Sequence, residues 1–496
     1  MTKPGSARSS RAARRAREAM RTASTYEEWK AAAKAYDTAR GLDEWRRVDR
    51  THRYDYVLLR GRRDELRRLR EQRDDHGLLY TLNEGIHGNV GGMGRASLYE
   101  KTAFGTKDLV VDYVEALVEA LEHIADPATT CISRTEKLHF FRRVSRCFGN
   151  SALMLSGSGT LFFFHVGVLR ALTKEGLLPR TISGASGGAL VAAVAGTHRP
   201  EQLLDVLTAP NFRDLLRPPP SAPKRYRSFR RMVLARRIEL LEKLIPDLTF
   251  EEAYARSGLG INVSIAPIEV HQSSGLLSAI TSPHVYVREG VAASSALPGL
   301  FPSVVLAAKN RDGQRQPYLP ERRWIDGSAS EDLPTKRITR LYGVNHFIVS
   351  QTNPHVLPFV TDAKLHTTKS AVVRRTAQRT VRELVNGTAA LFQKRLSREG
   401  MVPRVVNQTL SVINQDYLGD INIIAPSTPN LFQVLAWRTE EQARALIDQG
   451  ERATWPHMER IRLQTRVSRT LTSILTRFEG APASPEEPRV PSPSAA

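Results

Sequence analysis

The fold is decided by residues 181–188, which read Thr181-Ile182-Ser183-Gly184-Ala185-Ser186-Gly187-Gly188. A short β-branched run leads into the pattern G-x-S-x-G, and a helix of small residues follows it. In that pattern a sharp strand-to-helix turn exposes the serine hydroxyl at a helix N-terminus, where only small neighbours fit. The stretch predicts Ser186 as a nucleophile flanked by the motif glycines Gly184 and Gly188. An ordinary Gly/Ser-rich turn is the competing interpretation.

A second glycine loop lies upstream and follows another short apolar run. Residues 151–156 predict a strand, Gly157-Ser158-Gly159 a loop, and Phe162 to Leu172 a helix. Strand, turn and helix in repetition indicate an α/β sheet. The backbone N–H groups of such a loop converge on an anion, as an oxyanion hole requires. A dinucleotide site is disfavoured because Phe162 stands where its fingerprint needs glycine, and no Walker lysine follows.

A nucleophilic serine needs a base. The best candidate is Asp326, because it ends an apolar run and could reach a serine hydroxyl on an adjacent strand-end loop; its motif reads Trp324-Ile325-Asp326-Gly327-Ser328. An Asp-Gly turn is the alternative for this motif. A triad of Ser186, Asp326 and either His346 or His355 also stays open. His165, at helical spacing from apolar residues, is interpreted as a packing or capping residue.

Outside these motifs, residue composition and helix propensity divide the chain into five parts. Helix formers dominate both flanks of the α/β region, and the two ends are biased in composition. The predicted parts are a basic disordered tail (1–24), a helical N-terminal domain (25–150), a catalytic domain (151–355), a helical C-terminal extension (356–478) and a disordered Pro/Ser/Ala-rich tail (479–496).

Composition and charge restrict the partners and the compartment. Lys+Arg 72 against Asp+Glu 51 gives a net charge of +21, which indicates anionic partners. Two cysteines exclude a disulfide scaffold and a cysteine-rich zinc module. The basic start has no signal-peptide core, so secretion is not expected, although an organellar transit peptide stays open. We expect a cytoplasmic protein, and the Ala/Arg/Pro bias indicates a bacterial source.

Membrane contact is expected to be peripheral. Val291 to Ala308 is apolar but interrupted by prolines and glycine, so it is rejected as a spanning helix. Arg217 to Arg237 holds eight cations, no acid and interleaved apolar residues, which suits an anionic lipid surface. A solvated helix is the alternative. The charge would also allow non-specific nucleic-acid binding, but no nucleic-acid module is recognised, so this partner is not expected.

The combined motifs resemble those of patatin-like lipid acyl hydrolases, in the branch with the triacylglycerol lipases of plant seeds and yeast. Two of the shared stretches contain the glycine loop and the G-x-S-x-G turn. They are Ser156-Gly157-Ser158-Gly159 with His165-Val166-Gly167-Val168, and Gly176 to Gly188. Further phrases are Ala296 to Phe301, Trp324 to Ser328 through Asp332-Leu333-Pro334, and Val344 to His355. Tyr26 to Trp29, Glu136 to Leu138 and Phe148-Gly149 resemble the extra N-terminal domain of this branch, DUF3336.

The resemblance implies a three-layer α/β/α core with a Ser/Asp dyad and no histidine base. Ser186 would attack the ester carbonyl, Asp326 would take its proton, and amides of Gly157, Ser158, Gly159 and Thr160 would hold the oxyanion. Gly327 completes the Asp-Gly motif that begins at Asp326. Phe162 replaces the last glycine of the family's G-x-G-x-x-G loop, which is expected to reshape the hole or line the acyl pocket.

The expected function is hydrolysis of triacylglycerol at a lipid–water interface, on a membrane or a lipid droplet. Phospholipase, lysophospholipase or acyl-serine transacylase activity is the alternative within the same fold. A catalytically silent lipid- or polyanion-binding protein is the alternative of a different class. No cofactor and no metal are expected, and calcium is not implied because no acidic ligand loop accompanies the motifs. The sequence does not determine an oligomeric state.

Overall fold

The computed structural model describes residues 4–212, 238–269, 272–297, 301–352, 418–425 and 438–480. The expected basic stretch Arg217 to Arg237 and His355 lie outside these residues. Within them the chain forms two compact units. One unit holds residues 4–151, 342–346 and 452–480, and the other holds the remainder.

Among the described residues, the part before Asn150 is helical, and strands and helices both occur from Asn150 onwards. The α-helices are α1 (Pro4–Thr22), α2 (Tyr26–Ala39), α3 (Leu42–Arg47), α4 (Tyr56–Glu71), α5 (Asp75–Asn83), α6 (Ala96–Tyr99), α7 (Asp108–Ala125), α8 (Arg134–Phe148), α9 (Phe162–Lys174), α10 (Gly187–Thr197), α11 (Leu203–Val206), α12 (Phe250–Ser257), α13 (Val287–Ser294), α14 (Ser328–Glu331), α15 (Thr335–Tyr342), α16 (Glu440–Thr454) and α17 (Met458–Glu479). The strands are β1 (Asn150–Leu155), β2 (Thr181–Gly184), β3 (Gly260–Pro267), β4 (Gly275–Ser278), β5 (Leu306–Lys309), β6 (Arg315–Tyr318), β7 (Trp324–Asp326), β8 (Val344–Gln351) and β9 (Ile421–Ile424).

The first unit is a helical bundle with its own apolar core. Helix α7 buries eleven side chains, and most of them join those of α4, α5 and α8. Helix α17 comes from the far end of the chain and completes the same core through Leu463, Val467, Leu471 and Ile474, which share one helical face.

The structure corrects the predicted domain organisation in three places. Pro4–Thr22 forms helix α1, so the expectation of a disordered tail over 1–24 is wrong there; alanine and arginine are good helix formers, and Ala13 is buried. Strand β9 falls inside the predicted helical extension and pairs with β8, Ile348 opposite Ile421. Helix α17 belongs to the N-terminal unit and not to a separate extension.

The second unit contains a mixed, mainly parallel sheet. Its strand order is β4-β3-β2-β1-β8-β9, and β7 also pairs with β3. The β1–β2, β2–β3 and β8–β9 pairs are parallel, whereas β4 and β7 run antiparallel to β3. Strands β2 and β3 are buried throughout, as expected for a parallel sheet covered by helices. The predicted α/β class is confirmed.

The topology marks one place where a ligand site is expected. The chain leaves β1 towards β2, while β8 lies on the other side of β1. In open α/β sheets a crevice opens at the carboxyl ends of the strands where the strand order reverses in this way. The loop after β1, which begins at Ser156, stands at this point.

None of the helices in the described part of the chain combines the length and the apolar character needed to cross a membrane.

Candidate active site

Ser186 occupies a strained turn between β2 and α10. Its backbone has φ 51° and ψ −120°, and among the described residues Arg73 and Leu319 are the other non-glycine positions with positive φ. Its side chain is buried, with 6% of the residue exposed. Residues held in this rarely populated region cluster at functional sites, and the turn matches the geometry of a nucleophile elbow.

Close backbone packing explains the glycines of the elbow. A Cβ atom on Gly184 would lie 2.4 Å from the carbonyl carbon of Gly188, and one on Gly188 would lie 2.4 Å from the carbonyl oxygen of Leu155. Neither backbone can move aside without breaking β1 or α10. The G-x-S-x-G pattern is therefore a steric requirement of this turn.

Ser294 stabilises the elbow through a hydrogen bond to its backbone. The Ser186 N–H donates to Ser294 Oγ at 2.9 Å, and this hydroxyl donates to the Ser264 carbonyl oxygen at 2.7 Å. Ser294 is completely buried at the end of α13. Sequence reasoning missed it, because a single serine in a small-residue helix has no motif of its own.

The glycine loop after β1 lies directly against the elbow. A short 3₁₀ turn runs over Gly159–Leu161, and Gly159 has φ 50°. A Cβ atom on Gly187 would lie 2.3 Å from Ser158 Oγ and 2.7 Å from the Gly159 carbonyl oxygen. The structure thus brings the predicted oxyanion loop and the predicted nucleophile together.

The first amide of this loop is engaged by a carboxylate. The Gly157 N–H donates to Asp332 Oδ1 at 2.7 Å, and Asp332 is 1% exposed. Ser158 Oγ is buried and has no hydrogen-bond partner within the described residues. The oxyanion role of Gly157, Ser158, Gly159 and Thr160 stays a prediction, and the Gly157 amide already has an acceptor.

Asp326 ends β7 beside the strand that supports the elbow. It is 1% exposed, it lies opposite Ile265 of β3, and its Oδ1 accepts the Ser328 N–H at 2.9 Å. A Cβ atom on Gly327 would lie 2.4 Å from the Ser264 carbonyl oxygen, the same atom that accepts the Ser294 hydroxyl. The elbow and the Asp326 turn are therefore both anchored on Ser264. The role of Asp326 as base stays a prediction.

His346 and His165 have hydrogen-bond partners other than Ser186. His346 Nδ1 lies 2.9 Å from Ser151 Oγ, and its Nε2 lies 2.9 Å from Gln464 Oε1. His165 is completely buried, and burial lowers its pKa from 6.5 to about 4, so it is a neutral structural side chain. This agrees with the interpretation of His165 as a packing residue.

Phe162 forms an apolar wall beside the elbow. Its ring centroid lies 4.2 Å from that of Phe163 and 5.4 Å from that of Phe212, and the residue is 4% exposed. A Cβ atom on Gly187 would lie 3.2 Å from Phe162 Cβ. The aromatic ring thus replaces the loop glycine without breaking the contact between the two loops.

Two family models match the chain. Residues 6–146 match a domain of unknown function, DUF3336, and residues 153–338 match the patatin-like phospholipase model. The second match contains the elbow, the glycine loop and Asp326.

Curated relatives match along most of the chain. It is 32% identical to triacylglycerol lipase ptl3 of Schizosaccharomyces pombe, with 92% of this chain and 96% of that one covered. It is 30% identical to triacylglycerol lipase SDP1L of Arabidopsis thaliana (93% and 58%) and 31% identical to a patatin-like phospholipase domain-containing protein, CNBE2340, of Cryptococcus neoformans (92% and 54%). The chain thus spans little more than half the length of the last two. These relatives are eukaryotic, which weighs against the expected bacterial source.

Proposed function

The chain belongs to the patatin-like phospholipase family, and from this premise we propose that it is a serine lipid acyl hydrolase whose main substrate is triacylglycerol. The observation that carries the proposal is the strained Ser186 turn in contact with the glycine loop. A serine in such a turn is presented to a substrate, and a loop of amides beside it suits an oxyanion.

The reaction follows the two-step course of acyl transfer. Ser186 Oγ attacks the ester carbonyl while Asp326 accepts the serine proton, and loop amides stabilise the negative oxygen of the tetrahedral intermediate. Asp326 then returns the proton to the departing alcohol, which leaves an acyl-serine. Water, activated by Asp326, releases the fatty acid and restores Ser186. A glycerol hydroxyl in place of water would give transacylation.

The substrate class is supported by the names of relatives. Two of them are triacylglycerol lipases, and the family model is named for phospholipases, so phospholipid is the second substrate to test. Phe162 packs on Phe163 and Phe212 in a buried aromatic cluster next to Gly187, and we propose that an acyl chain binds near this cluster.

Insoluble esters require the enzyme to work at an interface, and we place it peripherally on a membrane or lipid-droplet surface. The net charge of +21 favours an anionic surface. Helix α1 adds exposed cations at Arg11, Arg14 and Arg15. Each basic residue near an anionic leaflet contributes about 1 kcal/mol.

The test is fatty-acid release by the purified full chain on emulsified triacylglycerol and, separately, on phospholipid vesicles. Ser186→Ala should lower release at least about 10³-fold because it removes the nucleophile. Ser183→Ala is the matched control, since it removes a buried serine hydroxyl three residues earlier that has no hydrogen-bond partner within the described residues. Equal activity of Ser186→Ala and wild type would exclude the proposal. No release by wild type from either lipid would favour the silent lipid-binding alternative.

A further inference from the structure

One peptide group in the oxyanion loop is held on both of its edges. The Ser156 carbonyl oxygen accepts a hydrogen bond from His165 Nε2 at 3.0 Å, and the Gly157 N–H donates to Asp332 Oδ1 at 2.7 Å. The C=O and N–H of one trans peptide group lie in a single plane and point in opposite directions. Two bonds at opposite edges therefore fix the rotation of this plane.

Both partners are buried and are themselves held in place. His165 Nδ1 lies 2.7 Å from Ser350 Oγ at the carboxyl end of β8. Since the Ser156 oxygen can only accept, Nε2 carries the imidazole proton and Nδ1 accepts from the serine hydroxyl. Asp332 follows α14 directly and is 1% exposed. A hydrogen bond to a buried carboxyl oxygen is costly to lose, because the donor and the acceptor would both stay buried without a partner.

The loop needs such a restraint because its own residues restrict the backbone dihedral angles very little. Glycine populates positive and negative φ about equally, so a Gly-Ser-Gly run can rotate its peptide groups at low cost. Gly159 has positive φ, and the loop packs against Gly187 with no room for a Cβ atom. Rotation of the Ser156–Gly157 plane would change the direction of the amides that follow it.

We propose that His165 and Asp332 are positioning residues that clamp the Ser156–Gly157 peptide and so aim the next amides, those of Ser158 and Gly159, at the substrate oxyanion. The proposal rests on the proposed serine hydrolase function. Neither residue touches the ester. Asp332 lies on the same short segment as Asp326, so this segment carries both the proposed base and one of the two positioning residues.

The clamp is tested with kcat and KM on a soluble short-chain p-nitrophenyl ester. Asp332→Ala and His165→Ala should lower kcat by about 10- to 100-fold with KM changed less than about twofold, because misplaced oxyanion donors act on the transition state. Asp332→Asn keeps an acceptor oxygen and His165→Gln keeps an N–H donor, so both should recover most of kcat. Thr197→Val is the matched control, because it removes another buried hydrogen bond, to the Ala193 carbonyl oxygen, away from the loop.

The outcomes separate the clamp from general destabilisation. Alanine variants with wild-type kcat, or conservative variants no better than alanine, would overturn the clamp. A kcat loss of similar size in Thr197→Val would also overturn it. If the alanine variants do not fold, Asp332→Glu, which displaces the carboxylate by one methylene, should show the same loss, and wild-type kcat there contradicts the proposal. Ser186→Ala in the same assay distinguishes failure of the clamp from failure of the hydrolase function itself.

Discussion

Ser186 carries backbone strain of about 1–3 kcal/mol, the usual cost of a non-glycine residue in so rare a conformation. Two features oppose relaxation of this strain. The Ser186 N–H donates a hydrogen bond to Ser294 Oγ. Backbone atoms of neighbouring residues pack directly against Gly184 and Gly188. These contacts hold the Ser186 backbone in the strained turn, so the predicted nucleophile needs little backbone reorganisation when substrate binds.

His165 predicts a pH dependence of folding stability. Burial lowers its pKa from 6.5 to about 4, so the unfolded chain binds more protons than the folded chain between these values. Stability from this group is therefore complete above pH 6.5 and is lost as the pH falls towards 4. Between pH 6.5 and 4.5 the loss is about 2 kcal/mol.

The measurement is urea unfolding of wild type and His165→Gln at pH 6.5, 5.5 and 4.5. All other groups titrate in both proteins. The difference between the two slopes of unfolding free energy against pH therefore gives the contribution of His165. Wild type should lose about 2 kcal/mol more than the variant over this range. Parallel slopes would show that His165 is not a neutral buried group.

At the scale of elements, α17 should stabilise the N-terminal bundle although it lies near the other end of the sequence. Leu471 is completely buried in the core formed with α7 and α8. Leu471→Ala should therefore lower the free energy of unfolding by about 2–5 kcal/mol. Thermal unfolding checks this, with exposed Ser473→Ala as the control. An unchanged midpoint for Leu471→Ala would contradict the packing of α17 in this core.

The βα elements could be predicted because their signals are local. Apolar runs that end in glycine define β1, β2 and the helices after them. Strand β9 has only Ile421 to Ile424, and what makes it a strand is its pairing with β8. The place of α17 depends likewise on packing over more than 300 residues of sequence, which no local pattern encodes.

The candidate site divides in the same way. Ser186, the glycine loop and Asp326 stand in motifs whose spacing reflects chain geometry within one turn. Ser294 and Asp332 come from other elements, and each contacts the backbone of the site through one hydrogen bond. A lone serine in a helical segment gives no sign of such a contact, and Asp332 stood in a recognised stretch without an assigned role. The sequence therefore pointed to the candidate reacting groups but not to these hydrogen bonds.

At the scale of the whole molecule, the predicted catalytic residues lie in the second unit and the first unit has a core of its own. The elbow, the glycine loop and the Asp326 turn all belong to the second unit. The first unit contributes exposed arginines of α1 to the net charge of +21. In the proposed function, the second unit hydrolyses lipid esters and the arginines of α1 add to the electrostatic attraction to an anionic surface.

The most direct test of the dyad is fatty-acid release from emulsified triacylglycerol and phospholipid vesicles by wild type, Asp326→Asn and His346→Ala. The carboxamide keeps the shape of Asp326 but cannot accept the serine proton, so release by Asp326→Asn should fall at least about 10²-fold. His346→Ala, whose imidazole is bonded to Ser151 and Gln464, should retain appreciable release. Near wild-type release by folded Asp326→Asn, or near-total loss in folded His346→Ala, would contradict a Ser186/Asp326 dyad.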